Sequence, residues 1–199
     1  MPTLSLNSSV TFAENTVNAA PQLLFADAYV AGDNFGGGLL SILGINPDQD
    51  RIAVRDEGTG PGQIGLAGGA YANITYGGIA FALWFNHVFY FNGNASATAI
   101  EALLENLTYA NTSDEPDYQR ILTFYLSDGT GAGTNAQFVA VNVVDNPDAI
   151  SDDYANGLSL SPPPIGTVLP PIGHIDVMRQ SSDQPITGRL ERDSDRDIF

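Results

Sequence analysis

Cysteine is absent from all 199 residues of the chain. Disulfides and thiolate metal sites are thereby excluded, and packing, hydrogen bonds and charge must hold the fold together. A vertebrate secreted module of this size often carries a disulfide, so the absence leans toward a bacterial source. Lysine is missing too. All seven basic residues are arginine, they stand against 23 acidic ones, and the net charge is −16. That balance argues against nucleic acid and anionic membrane as partners, since both require positive charge. It favours cations, although a carboxylate-rich surface also serves solubility alone. Without lysine a phosphate-binding P-loop is impossible, so the glycine-rich stretches 58–62 and 129–133 read as hairpin loops. Apolar runs are short. The longest, 78–91, is interrupted by Asn86 and His87, which predicts no membrane insertion. The start of the chain has neither a basic nor an apolar signal segment, as expected of a cytoplasmic protein, of export without an N-terminal signal, or of a piece of a longer protein.

Histidine is scarce as well. His87 lies between Phe85 and Phe89 and reads as a core or edge residue, and His174 follows a proline-rich stretch. Neither has a companion for acid–base chemistry, and no serine sits in a nucleophile elbow, so the sequence predicts no enzyme.

What is present is alternation. Leu122, Phe124 and Leu126 point one way, while Ile121, Thr123 and Tyr125 point the other. Val139, Val141 and Val143 repeat the pattern, and the turn signal Ser127-Asp128-Gly129 separates the two runs. A period of two is that of a sheet with one buried face. Further strands are expected at 4–12 (kinked at 7–9), 22–25, 39–43, 50–55, 64–66, 72–76, 79–85 and 88–91. Ile52 and Val54 should face inward, and Phe81, Leu83 and Phe85 should share a face. An acidic, turn-rich link is expected at 27–33. One helix is expected at 96–105, where Ile100, Leu103 and Leu104 fall at i, i+3 and i+4, Ser96 can cap it and Asn106 can end it. Turn signals at this spacing, with 21 glycines, predict an all-β fold: an immunoglobulin- or cadherin-like antiparallel β-sandwich with one short crossover helix. The sandwich should span 4–148, followed by a proline-rich linker over 149–172 and a charged tail over 173–199.

Calcium is the chemistry the carboxylates suggest. It takes six to eight oxygens, and loops at the ends of a sandwich can gather them. Glu14, Asp27, Asp33, Asp114, Asp128 and Asp145 are the candidate ligands, with Asp117 and Asp148 nearby in sequence. The alternative at each is a turn residue bonded to its own backbone. Asp193, Asp195 and Asp197 have alternate spacing but lack the glycine and glutamate of an EF-hand loop. Five glycosylation sequons begin at Asn7, Asn73, Asn94, Asn106 and Asn111, and matter only on a eukaryotic secretory route. Trp84 and Tyr90, in an aromatic cluster with Phe81, Phe85, Phe89 and Phe91, could stack on a sugar.

Several segments in order, namely Val10-Thr-Phe-Ala-Glu-Asn15, Asp50-Arg-Ile-Ala-Val-Arg-Asp56, Ile74-Thr-Tyr-Gly-Gly78 and Ile100-Glu-Ala-Leu-Leu-Glu-Asn106, closed by Ser127-Asp128-Gly129, resemble one cadherin-like repeat of the large type I-secreted bacterial adhesins of RTX kind. Glu14-Asn15 is similar to the start of such repeats, and Asp145-Asn-Pro-Asp148 to their acidic exit. Tyr29 departs from the denser acidic pattern and removes one possible ligand. The resemblance implies an extracellular, non-enzymatic adhesion or spacer module with calcium as cofactor, whose partners are neighbouring repeat modules or cell-surface ligands. The alternatives are an accessory domain of a secreted enzyme and a carbohydrate-binding module.

Overall fold

The computed structural model describes residues 1–68, 72–113, 116–134 and 136–144. Over these the order is β1 (Thr3–Ser5), β2 (Ser9–Ala13), α1 (Glu14–Ala19), β3 (Gln22–Leu23), β4 (Tyr29–Ala31), β5 (Leu39–Leu43), β6 (Asp50–Val54) and β7 (Ile64–Ala67). There follow β8 (Ala72–Tyr76), β9 (Ile79–Phe85), β10 (Val88–Phe91), α2 (Ala97–Glu105), β11 (Leu107–Asn111), β12 (Gln119–Ser127) and β13 (Gln137–Val144). The linker and tail expected at 149–199 lie outside the described residues.

The fold is an all-β sandwich. One sheet has eight strands in the order β2-β13-β12-β5-β10-β9-β8-β7, the other has three in the order β3-β11-β6, and β1 pairs with β4 apart from both. Neighbours β13-β12-β5 on one side and β3-β11-β6 on the other reproduce the G-F-C and B-E-D orders of an immunoglobulin-type sandwich. The meander β7 to β10 is inserted after β6 and returns to extend the large sheet beside β5. The alternation holds where it was clearest: Leu122, Phe124, Leu126, Val139, Val141 and Val143 are all buried, as are Ile52 and Val54. Between the sheets Phe25 meets Phe124 edge-on at 5.3 Å, and Phe12 stacks on Tyr109 at 6.0 Å.

The expected helix forms as a crossover from the large sheet to the small one. Ser96 Oγ accepts from Ala99 N at 3.2 Å, and Ile100, Leu103 and Leu104 are fully buried.

Four expectations are corrected. The sandwich is not purely antiparallel, because β2 runs parallel to β13. The kink at 7–9 divides the first strand into two that serve different sheets, which lets β2 turn away from β1 and take the free edge of β13. A second helix, α1, is present. Its six residues bury only Val17 and Glu14, too little apolar periodicity to be read from sequence. The link at 27–33 contains β4, whose Val30 N–H is held by the Glu101 carboxylate at 2.8 Å. Finally, Phe81 does not share a face with Leu83 and Phe85. Ile74 pairs with Ala82 but Thr75 with Ala80, so Phe81 is the extra residue of a β-bulge. The bulge turns it to the core while Leu83 and Phe85 stay exposed.

Candidate functional site

The most concentrated polar chemistry in the interior is a network that ties the two sheets together. Parity along β6 puts Asp50 on the same inward face as Ile52 and Val54, and parity along β12 does the same for Arg120 with Leu122 and Phe124. The Asp50 carboxylate is wholly buried, and Arg120 Nε stands 2.9 Å from Oδ2. That N–H is not aimed along a hydrogen-bond direction, so the contact acts as an ion pair. Oδ1 accepts from the Tyr109 hydroxyl at 2.7 Å and from Asn111 Nδ2 at 3.1 Å, and Oδ2 accepts from Asn46 N at 2.8 Å. Arg120 Nη2 reaches outward to Asp117 at 2.6 Å.

The titration of these groups follows from their surroundings. Burial raises the Tyr109 phenol well above its ordinary value, and the Asp50 carboxylate adds to the rise. Partial burial opposes the charge on Arg120, but Asp117 and Asp50 outweigh it and hold the guanidinium above its ordinary value. The Asp50 carboxylate at the centre accepts three hydrogen bonds and faces a cation, which is the chemistry of a structural tie.

The same end of the sandwich collects the acidic ends of several segments. Ala13 lies opposite Val144 in the parallel pair, so the chain passes into α1 and leaves β13 at one pole. Glu14, buried at the start of α1, accepts from Asn18 Nδ2 at 3.3 Å. The same nitrogen donates to the Ser113 carbonyl at 3.1 Å, which sets the orientation of the amide and turns its oxygen the other way. Asn18 Oδ1 is buried and accepts no hydrogen bond among the described residues. Glu14 therefore stands at the pole from which two acidic segments continue, one after Ser113 and one after Val144.

The candidate ligands do not form one group. Asp114 and Asp145, with Asp148, lie outside the described residues. Asp128 sits at the opposite end of β12 from this pole and is nearly enclosed by its own loop. Its Oδ1 accepts from the Thr130 hydroxyl at 2.6 Å, Thr130 N at 2.9 Å and Ala132 N at 3.1 Å. The Thr130 hydroxyl first, then these backbone donors, hold its carboxyl below the usual range despite some opposing desolvation. Gly38 and Gly129 let the backbones on either side of this loop touch; a Cβ at either would meet a carbonyl oxygen, Ser127 O or Gly36 O. Asp128 thus follows the turn reading. Asp33 is exposed and accepts from Asn34 Nδ2 at 3.1 Å; Asp27 is exposed beside Ala28, whose N–H reaches Glu105 near the end of α2. Among the described residues no three His, Asp or Glu side chains gather as metal ligands.

Other expected features resolve differently. His87 is not a core or edge residue. With Asn86 it makes the turn between β9 and β10, both at positive φ (48° and 61°), as a two-residue hairpin of the primed type requires. Partial burial lowers its imidazole pKa. Trp84 and Tyr90 cannot form one sugar platform. Trp84 pairs with core-facing Phe89 and stacks on it at 5.6 Å, while Tyr90 pairs with Leu83 on the outer face. Asn106 and Asn111 are buried, so two of the five sequons are closed to glycosylation. Among the described residues no helix is long and apolar enough to cross a membrane. Asp50, Arg120 and Asn18 went unnoticed in sequence. The signal for the first two was a charged residue at an inward parity position on each of two strands. Comparison with protein-family models, curated proteins and solved structures finds no match to this chain.

Proposed function

We propose that the chain is an extracellular, non-enzymatic spacer or adhesion module of cadherin-like kind, stiffened by calcium at the pole where the chain passes from β2 into α1 and leaves β13. The reading is carried by one observation: Asn18, whose Nδ2 donates to the buried Glu14 carboxylate, also holds a buried amide oxygen, Oδ1, that accepts nothing among the described residues. A buried amide oxygen without a donor, close to a carboxylate, is a ligand a hard cation can use. The acidic segments 114–117 and 145–148 continue from Ser113 and Val144, which the hydrogen bond from Asn18 and the pairing with Ala13 tether to this pole. Glu14, Asn18, Asp114 and Asp145 are the residues that would hold the ion. A cation seated where the chain leaves the sandwich would limit swivelling toward a neighbouring module.

Calorimetric titration tests the proposal. Calcium should bind with a dissociation constant of about 0.1–1 mM, as for extracellular modules, and magnesium more weakly. Saturating calcium should raise the melting temperature, because the ion binds only the folded chain. Asp145→Asn should weaken binding while leaving the calcium-free melting temperature close to that of the parent, whereas Asn18→Ala should weaken binding and also lower that temperature, because Glu14 and the Ser113 carbonyl lose its amide donor. An absence of calcium-specific heat up to about 10 mM, ten times the weakest expected constant, rules the reading out.

A further inference from the structure

Each directly opposed pair of residues in a sheet lies on one face. Followed from strand to strand, the register defines the outer surface of the eight-stranded sheet. Phe138 pairs with Thr123, and Thr123 with Leu43. One row further on, Tyr125 pairs with Ser41, and Ser41 with Val88. In the next, Leu39 pairs with Tyr90, and Tyr90 with Leu83. Across β13, β12, β5, β10 and β9 none of these outward positions carries a charge. The large side chains stand well out: Phe138 is 63% exposed, Leu43 59%, Tyr90 47% and Ile121 45%. At about 150–250 Å² for a full aromatic side chain, the apolar face amounts to roughly 500–700 Å². The largest apolar patch of an ordinary monomer is about 300–600 Å².

We propose that this face is the interface of a homodimer, two copies packing sheet against sheet about a twofold axis near Ser41 and Thr123. Charge selects the occupant. Two chains of −16 repel wherever their carboxylates meet, and this is a broad face on which like copies can meet without that penalty. Area agrees: with a polar rim from Gln119, Asn142 and Asn73, the patch approaches the roughly 800 Å² per partner of a specific interface. Shape agrees too. Small residues, Thr123 between Phe138 and Leu43 and Ser41 between Tyr125 and Val88, leave hollows between ridges. A twofold operation can fill the hollows of one copy with the ridges of the other. Sheets joined in this way lie about 10 Å apart, with strands within about 30° of alignment. The proposal does not depend on calcium, and its test needs none.

The full chain in calcium-free buffer is run in analytical ultracentrifugation over a range of concentrations. The parent should sediment as a dimer that dissociates on dilution. Leu43→Glu sets like charges against each other across the axis and should weaken the dimer at least about tenfold. Phe138→Thr, which keeps strand propensity, should weaken it as well and covers the case in which Leu43→Glu does not fold. Because the chain has no cysteine, Ser41→Cys introduces a single thiol. It should cross-link as a dimer with a short bis-maleimide, whereas exposed Thr3→Cys, on the separate pair β1–β4, should not. A parent that stays monomeric at high concentration overturns the proposal, as does a dimer indifferent to both face substitutions. A monomer whose melting temperature falls on Leu43→Glu means that its own chain covers the face, and this also overturns it.

Discussion

Replacing Asp50 by asparagine removes one negative charge from the centre of the network and changes almost no volume. Its Oδ1 would still accept from Tyr109 and Asn111. The other half of the group becomes an NH2, and it now faces the Asn46 N–H donor, 2.8 Å from Oδ2 in the parent, and the cationic Arg120 Nε, 2.9 Å away. The Asn46 donor, left unsatisfied, costs about 1–3 kcal/mol. Breaking a fully enclosed ion pair from one side costs about 3–5 kcal/mol. The Arg120 side chain is 19% exposed and keeps Asp117, which is itself mostly in solvent, so screening lowers the expected loss to about 2–4 kcal/mol. For a domain of this size that is a fall in melting temperature of roughly 10 °C. Urea denaturation followed by the fluorescence of Trp84, the single tryptophan, measures it. Arg120→Met leaves Asp50 its three hydrogen bonds and removes the cation. The double variant should then be less damaged than the sum of the singles, with a coupling of about 1–3 kcal/mol. A loss below about 1 kcal/mol for Asp50→Asn, or strict additivity in the cycle, refutes the account of this network as the tie between the sheets.

Two further outcomes follow from burial and charge. Leu122→Ala should cost about 2–5 kcal/mol, as for a large side chain deleted from a packed core, whereas Ile121→Ala, at a half-exposed outer position, should cost under about 1 kcal/mol. Equal losses in chemical denaturation would mean that β12 is buried on both faces. Asp128→Ala should destabilise near neutral pH. Because the folded carboxyl titrates below its ordinary value, the stability it contributes is present above about pH 4 and disappears as the pH falls further. The difference between parent and variant in urea midpoint should therefore shrink from about pH 4 toward pH 2, and a constant difference would show that the Asp128 charge contributes nothing.

Much of the candidate site was within reach of the sequence, but only as separate parts. Glu14 was recognisable as an acidic residue at a strand end, and the structure puts it at a pole. Its neighbour Asn18 carried no signal, because one amide in a six-residue helix has no periodicity to mark it. Asp50 and Arg120 were marked by parity. Asp50 is at an even position with Ile52 and Val54, and Arg120 at one with Leu122, Phe124 and Leu126. A charge on an inward face demands a partner, and the two supply each other. Asp128 was the opposite case. Its neighbours Gly129 and Thr130 already described a closed turn, and the loop satisfies the carboxylate locally.

The sequence by itself determined whatever is written in neighbouring residues. Alternation set the strands and their buried faces, because the pleat turns every second side chain to one side. The i, i+3, i+4 spacing with Ser96 set α2. The missing cysteine and lysine set the means of stabilisation and the sign of the surface. Only the tertiary structure decided which strands become neighbours. It put β2 parallel to β13, returned the inserted meander to the edge of β5 and inserted Phe81 as a bulge. Those choices join residues far apart in the chain, and they are settled by which pairings bury the most apolar surface and leave the fewest backbone groups unpaired. The same choices aligned the uncharged outer positions of five strands into one continuous face, which no single strand contains.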